Sequence, residues 1–196
     1  ENVFLQSLDI AGLPGGFDSF TLGEDIYFIA GRTPSEGGEV VSGVFANGAT
    51  LYDIARLSPT NLPGPDAGTV DYAGSYAGQY RRLQSNGTIS FGHVFGNANM
   101  DVDFADSSAS GFITERERSD GLPATQVRLV DAQIIDGVFF GETRGGAFVG
   151  GTAAAGDYQG FIVGSQGQEI VGAVQFVHGF EGSVYSESGS MILNSD

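Results

Sequence analysis

The sequence predicts an all-β protein: an eight-stranded antiparallel up-and-down β-barrel preceded by a small β-rich N-terminal segment. Three observations carry that expectation. Apolar and polar residues alternate in short runs, as where Ile89, Phe91, His93 and Phe95 interleave with Ser90 and Gly92. Glycine fills 32 of 196 positions, against a usual share of about 7%, and it is scattered as turns, bulges and barrel corners require. No stretch after residue 70 sustains a helical period of about 3.6 residues over several turns.

The elements follow in order. Within the first 66 residues, 25–30, 39–45 and 50–57 read as strands, with Asn47-Gly48 as a hairpin turn. Residues 58–65, SPTNLPGP, have the composition of a linker. They divide the chain into a segment 1–66 and a barrel 67–196. The segment is short for independent folding and is expected to pack on the barrel. Beyond it, 79–83 and 88–95 flank Asn86-Gly87, read as a type I′ turn in which both central residues take positive φ. Met100, Val102 and Phe104 then alternate with Asp101, Asp103 and Ala105. Further runs lie at 111–115, 128–135, 138–142 after the turn Asp136-Gly137, 146–150, 158–164, 169–177 and 190–193. About eight strands at this spacing close into a barrel without exposed edges.

Charge and composition narrow the function. There are 24 acidic and 8 basic residues, all of the latter arginine, for a net charge of −16. Such a surface repels phosphate backbones and anionic membranes, so no nucleic-acid partner is expected. The absence of cysteine removes disulfides, thiolate metal sites and cysteine nucleophiles. No run approaches the roughly 18 apolar residues of a transmembrane helix, and no signal peptide is visible. The chain reads as a mature or trimmed form, with any lipid anchor upstream of Glu1. Asn86-Gly87-Thr88 fits a glycosylation acceptor, relevant only in a eukaryotic secretory route.

Candidate chemistry is sparse. The two histidines, His93 and His178, share strand faces with apolar residues near strand ends. They read either as haem or metal ligands at a barrel mouth or as hydrogen-bonded histidines closing the core. Asp101, Asp103 and Asp106 offer oxygen ligands for Ca²⁺, but they lack the glycine and bidentate glutamate of a calcium loop and otherwise read as a solvated face. Arg81, Arg82, Arg116 and Arg118 either anchor an anion bidentately or pair with the surplus carboxylates. Tyr158 and Tyr185 are the tyrosines expected to anchor an interface from loop tips. No nucleophile elbow, zinc-protease motif or phosphate loop occurs, so no enzyme activity and no required cofactor are expected. A hydrolase with dispersed carboxylates is the minor alternative.

From residue 68 onward the chain resembles the β-barrel domain of transferrin-binding protein B and its bacterial surface-lipoprotein relatives. The residues that carry this are TVDYAGSYAG at 69–78, GNANMDVDF at 96–104 with ASGFI at 109–113, and GFIVG at 160–164 with EIVGAV at 169–174. Ser165 and Gln166 stand where the family's late turn has proline and asparagine. The resemblance implies a barrel on the outer surface of a Gram-negative bacterium, often lipid-anchored. It also implies a part in iron or haem capture or in binding host proteins, with loops and the preceding segment setting the partner. An exported binding protein is therefore the expected function, and a structural or adhesive surface protein is the alternative.

Overall fold

The computed structural model describes residues 62–195 except 153 and 165, and five strands among the first 61 residues. Those strands, β1 (Gln6–Ser7), β2 (Phe17–Leu22), β3 (Ile26–Arg32), β4 (Val40–Ala46) and β5 (Ala49–Ala55), pair in sequence order into one antiparallel sheet. The last three match the expected runs. β1 and β2 escape a pattern search because Phe17-Asp18-Ser19-Phe20-Thr21-Leu22 lacks a clean period of two. The Asn47-Gly48 turn and residues 58–61 of the linker lie outside the described residues.

After a single 3₁₀ turn, Pro65–Ala67, eight strands form the barrel: β6 (Thr69–Leu83), β7 (Ile89–Asp103), β8 (Ser108–Arg118), β9 (Val127–Ile135), β10 (Val138–Gly145), β11 (Ala155–Val163), β12 (Glu169–Phe180) and β13 (Ser183–Ser195). Each pairs antiparallel with the next, and β13 returns to β6 to close the ring. The expected all-β, eight-stranded up-and-down barrel is the observed fold.

Local differences have local causes. The runs 88–95 and 100–104 belong to one strand, since Asn97 and Asn99 point outward and Ala98 inward, so the polar stretch keeps alternating. Residues 146–150 form a loop, because Gly145, Gly146 and Gly150 sit at φ 81°, 85° and 86°, outside the pleated-strand region. Asn86-Gly87 is no type I′ turn: only Gly87 has positive φ, and its N–H donates to the Gln84 carbonyl at 2.9 Å. Among the described residues, the two-residue strand connections with positive φ at both positions are Asp136-Gly137 (52°, 75°) and Glu181-Gly182 (49°, 70°).

The interior is built from rings seated on glycines. Inward positions of β6 read Tyr72, Gly74, Tyr76, Gly78, Tyr80, Arg82. A Cβ on Gly78 would strike the Tyr76 ring, one on Gly92 the Tyr80 ring, one on Gly141 the Tyr158 ring and one on Gly160 the Phe139 ring. The abundance of glycine therefore serves core packing as well as turns. Tyr72, Tyr76, Tyr158, Tyr185, Phe139, Phe148, Phe176 and Met100 are fully buried, each aromatic removing roughly 150–250 Å² from water.

Outside, Asp101, Arg128, Asp131, Glu142 and Asp157 project from the strands into solvent, so this wall is not built to face lipid. One stretch of wall is covered. Ala77, Val163, Val171, Ala173 and Ile192 point outward yet are buried as a second apolar cluster, where β4 approaches β12 and β13.

Candidate functional site

The barrel has two ends. Thr69, Ser195 and the 104–107 turn lie at one. Loops 84–88, 119–126, 146–154 and 181–182 lie at the other. Near this second end the lumen holds its charges. The Arg116 guanidinium meets the Glu187 carboxylate at 2.6 and 2.7 Å and also donates to the carbonyls of Thr125 and Gly146, at 2.6 and 2.8 Å. Tyr76 donates to Glu187 at 2.8 Å. Arg118 pairs with Asp120 at 2.6 Å and covers the Phe148 ring at 4.2 Å. These two arginines therefore pair with carboxylates. Arg82 donates to Ser183 at 3.1 Å.

The histidines do not converge. His178 faces the lumen, 3% exposed, stacked parallel to Tyr185 at 5.1 Å. Neither ring nitrogen has a hydrogen-bond partner. Burial first, then the Arg116 charge, pushes its pKa down to about 4, an effect the Gly179 backbone partly offsets. His93 lies on the outer face, half-buried, with Nδ1 unpartnered and its pKa lowered by burial. The wall separates the two rings, so a single ligand does not meet both. Of the two core positions expected from the pattern, His178 closes the core and His93 lies outside it.

Tyr158 and Tyr185 are corrected outright. Both are buried in the lumen, because strand parity at their positions points inward. Tyr158 donates to the carbonyl of Val130 at 2.5 Å. Asp101 and Asp106 are exposed, while Asp103 accepts backbone N–H bonds from Ala105 and Asp106 at 2.9 and 3.1 Å. It caps a turn, and among the described residues no cluster of carboxylates and histidines could hold a metal.

The exposed wall carries the feature that sequence reading missed. Ile89, Leu83 and Val184 stand side by side across β7, β6 and β13. In the adjacent row Phe91, Arg81, Ser186 and Val177 do the same across β7, β6, β13 and β12. Ile89 is 47% exposed, Val184 51%, Val177 51% and Phe91 39%. A groove of about 320 Å³ borders this patch, lined by Ala155, Asp157, Gln175, Val177 and Ser186. Only register brings these residues together, since they run from Arg81 to Ser186 in the sequence. The alternation at 89–95 marked one edge of the patch.

Barrel, filled lumen and flanking sheet define a class: a closed eight-stranded antiparallel β-barrel with a second antiparallel sheet beside it. The fold is similar to that of part of transferrin binding protein B. Against the vaccine antigen transferrin binding protein B of Haemophilus parasuis Hp5, a tryptophan-to-alanine mutant, the TM-score is 0.55 at 15% identity over 97% of this chain. A double mutant of that protein gives 0.53 at 16% identity over 100% of this chain. The chain spans 40% and 37% of those two structures. No family model and no curated protein matches it.

Proposed function

We propose that this chain is a non-enzymatic binding protein displayed on the outer surface of a Gram-negative cell. The filled barrel is its rigid frame, and a protein partner docks on the outer wall. The single observation that carries this reading is the exposed patch in which Ile89, Phe91, Val177 and Val184 gather around Leu83, on a molecule of net charge −16. A contiguous apolar patch on a soluble surface marks an interaction site, whereas scattered single residues need no explanation. The lumen supports the same reading from the other side, because its volume is taken by buried rings. The segment 1–66 is read as a unit packed on the barrel beside the patch. The fold likeness supports a binding role, and transferrin, for which the similar protein is named, is the first partner to try.

The test places a benzophenone photo-crosslinker at Val184 and, for comparison, at Ile135, which is 65% exposed on another part of the wall. Cells producing each variant are irradiated, then treated with external protease. A discrete protein adduct from position 184 alone, lost on proteolysis of intact cells, is the expected result. Equal or absent adducts overturn the surface, and protection from protease overturns the location. Purified transferrin and haemin serve as separate probes. A Soret shift with haemin, abolished in His93→Ala, would move the function to small-molecule iron capture.

A further inference from the structure

The loop that closes the second barrel end is unlike the rest of the core. Phe148 is fully buried among lumen rings, yet it comes from the connection between β10 and β11 and not from a strand. Its ring stands edge-on to His178 at 4.5 Å, to Tyr185 at 4.7 Å and to Tyr80 at 5.3 Å. The Arg118 guanidinium covers its face. We propose that this end is a binding site of its own, in which a planar aromatic anion takes the place of the Phe148 ring.

The box around Phe148 matches that ring in shape but not in polarity. Both nitrogens of His178 and Nε of Arg118 are buried without partners. Buried polar groups are nearly always satisfied, and leaving them bare is unfavourable. A phenyl ring cannot satisfy them. A ring of similar size bearing a carboxylate keeps the edge-on contacts and offers acceptors to Arg118 and to a protonated His178 nitrogen.

The loop is built to allow the exchange. Its first half is pinned: the Gly146 N–H donates to Gln126, and the Ala147 carbonyl accepts from both N–H and Oγ1 of Thr125, at 2.9, 2.9 and 2.7 Å. The Thr152 N–H holds the far side through the Gly179 carbonyl at 2.9 Å. Between these anchors, the Gly151 N–H bonds only within the turn, to the Phe148 carbonyl. Val149 is 60% exposed, and Gly150 with Gly151 supplies the backbone freedom that a swing of Phe148 requires. An isolated antiparallel bridge pairs Phe148 with Ala124, and the swing breaks that one pairing while Gly146, Ala147 and Thr152 stay in place. This site lies in the lumen and does not depend on the outer-wall partner proposed above.

The protein carries two histidines, so its imidazole NMR signals report the site directly. Benzoate is the probe, with benzyl alcohol as its neutral counterpart. Benzoate is expected to shift the His178 signals saturably and to leave those of His93 in place. Phe148→Ala should tighten binding by about ten-fold or more, and Arg118→Met should abolish the preference for benzoate over benzyl alcohol, itself about ten-fold. If Phe148→Ala loses its far-UV dichroism, Phe148→Leu and the unaltered protein are titrated instead. In the unaltered protein, benzoate should also speed amide exchange at Val149–Gly151. An unmoved His178 in every folded form, or equal binding of the alcohol, overturns the proposal.

Discussion

Arg116 and Glu187 form a doubly bonded ion pair in which neither side chain has any solvent exposure. The pair joins β8 to β13 across the lumen. Through the Gly146 carbonyl and the Tyr76 hydroxyl it also ties in the β10–β11 loop and β6. Removing two charges from water is costly, and their attraction offsets that cost only when the remaining hydrogen bonds are made. Here two backbone carbonyls and a tyrosine make them, leaving Nε of Arg116 as the single unpartnered nitrogen of that guanidinium.

Breaking one side of this pair should therefore cost more than removing both. Glu187→Ala strands a buried guanidinium and is expected to destabilise by about 3–5 kcal/mol. The Arg116→Met, Glu187→Met double variant should recover most of that loss. Urea unfolding of the three proteins checks the order, and additive losses would contradict it.

Acid should weaken the fold through His178. Its folded pKa lies near 4, below the ordinary value of about 6.5. Above that ordinary value the ring is neutral in both states, and the shift has no effect on stability. As pH falls from about 6.5 toward 4, the unfolded chain takes the proton first and stability drops, by an amount on the order of 3 kcal/mol. His93, also lowered by burial, acts in the same direction. The stability difference between the unaltered protein and His178→Gln, measured from pH 7 to pH 4, should shrink as pH falls. A difference independent of pH would refute the assignment.

Glycines under rings should tolerate no methyl. Gly160→Ala drives its Cβ into Phe139, and Gly141→Ala drives one into Tyr158. Each is expected to cost about 1–3 kcal/mol by overpacking, lowering the melting temperature by several degrees. A companion Phe139→Leu change should relieve part of the Gly160→Ala loss. Calorimetry on the single and double variants decides it.

Glu181 is the residue most out of place in a turn. It holds φ 49° beside Gly182, a conformation that costs a non-glycine residue about 1–2 kcal/mol. Asparagine, the residue type favoured there, should raise stability by about 0.5–1 kcal/mol, while Gly182→Ala should lower it. Chemical denaturation reads both signs.

Much of the barrel was legible because a two-residue period is written locally. Ile89–Asp103 announces itself by alternation, and Glu169–Phe180 by an apolar run buried on both faces. The first half of Ser183–Ser195 does not, because small residues stand on both its faces: Ser186 and Ser188 outward, Ser183 and Gly189 inward, the glycine against the Tyr76 ring. The candidate surfaces were harder to read, since they depend on which face is inside and on pairing register. Tyr185 alternates like a surface residue at a strand end but points into the lumen. Val184, its neighbour, is the one exposed. Arg116 and Glu187 are 71 positions apart, and nothing in the sequence announces their meeting.

Closure of β13 onto β6 brings Ser195 beside Tyr72, so both ends of the barrel chain emerge at the rim opposite the Phe148 loop. The chain coming from the N-terminal sheet therefore enters the barrel, and leaves it, at one and the same rim. The rim holding Phe148, His178 and the Asn86-Gly87 hairpin points the other way, so the barrel has two unlike poles: one where its chain enters and leaves, and one made only of turns and loops.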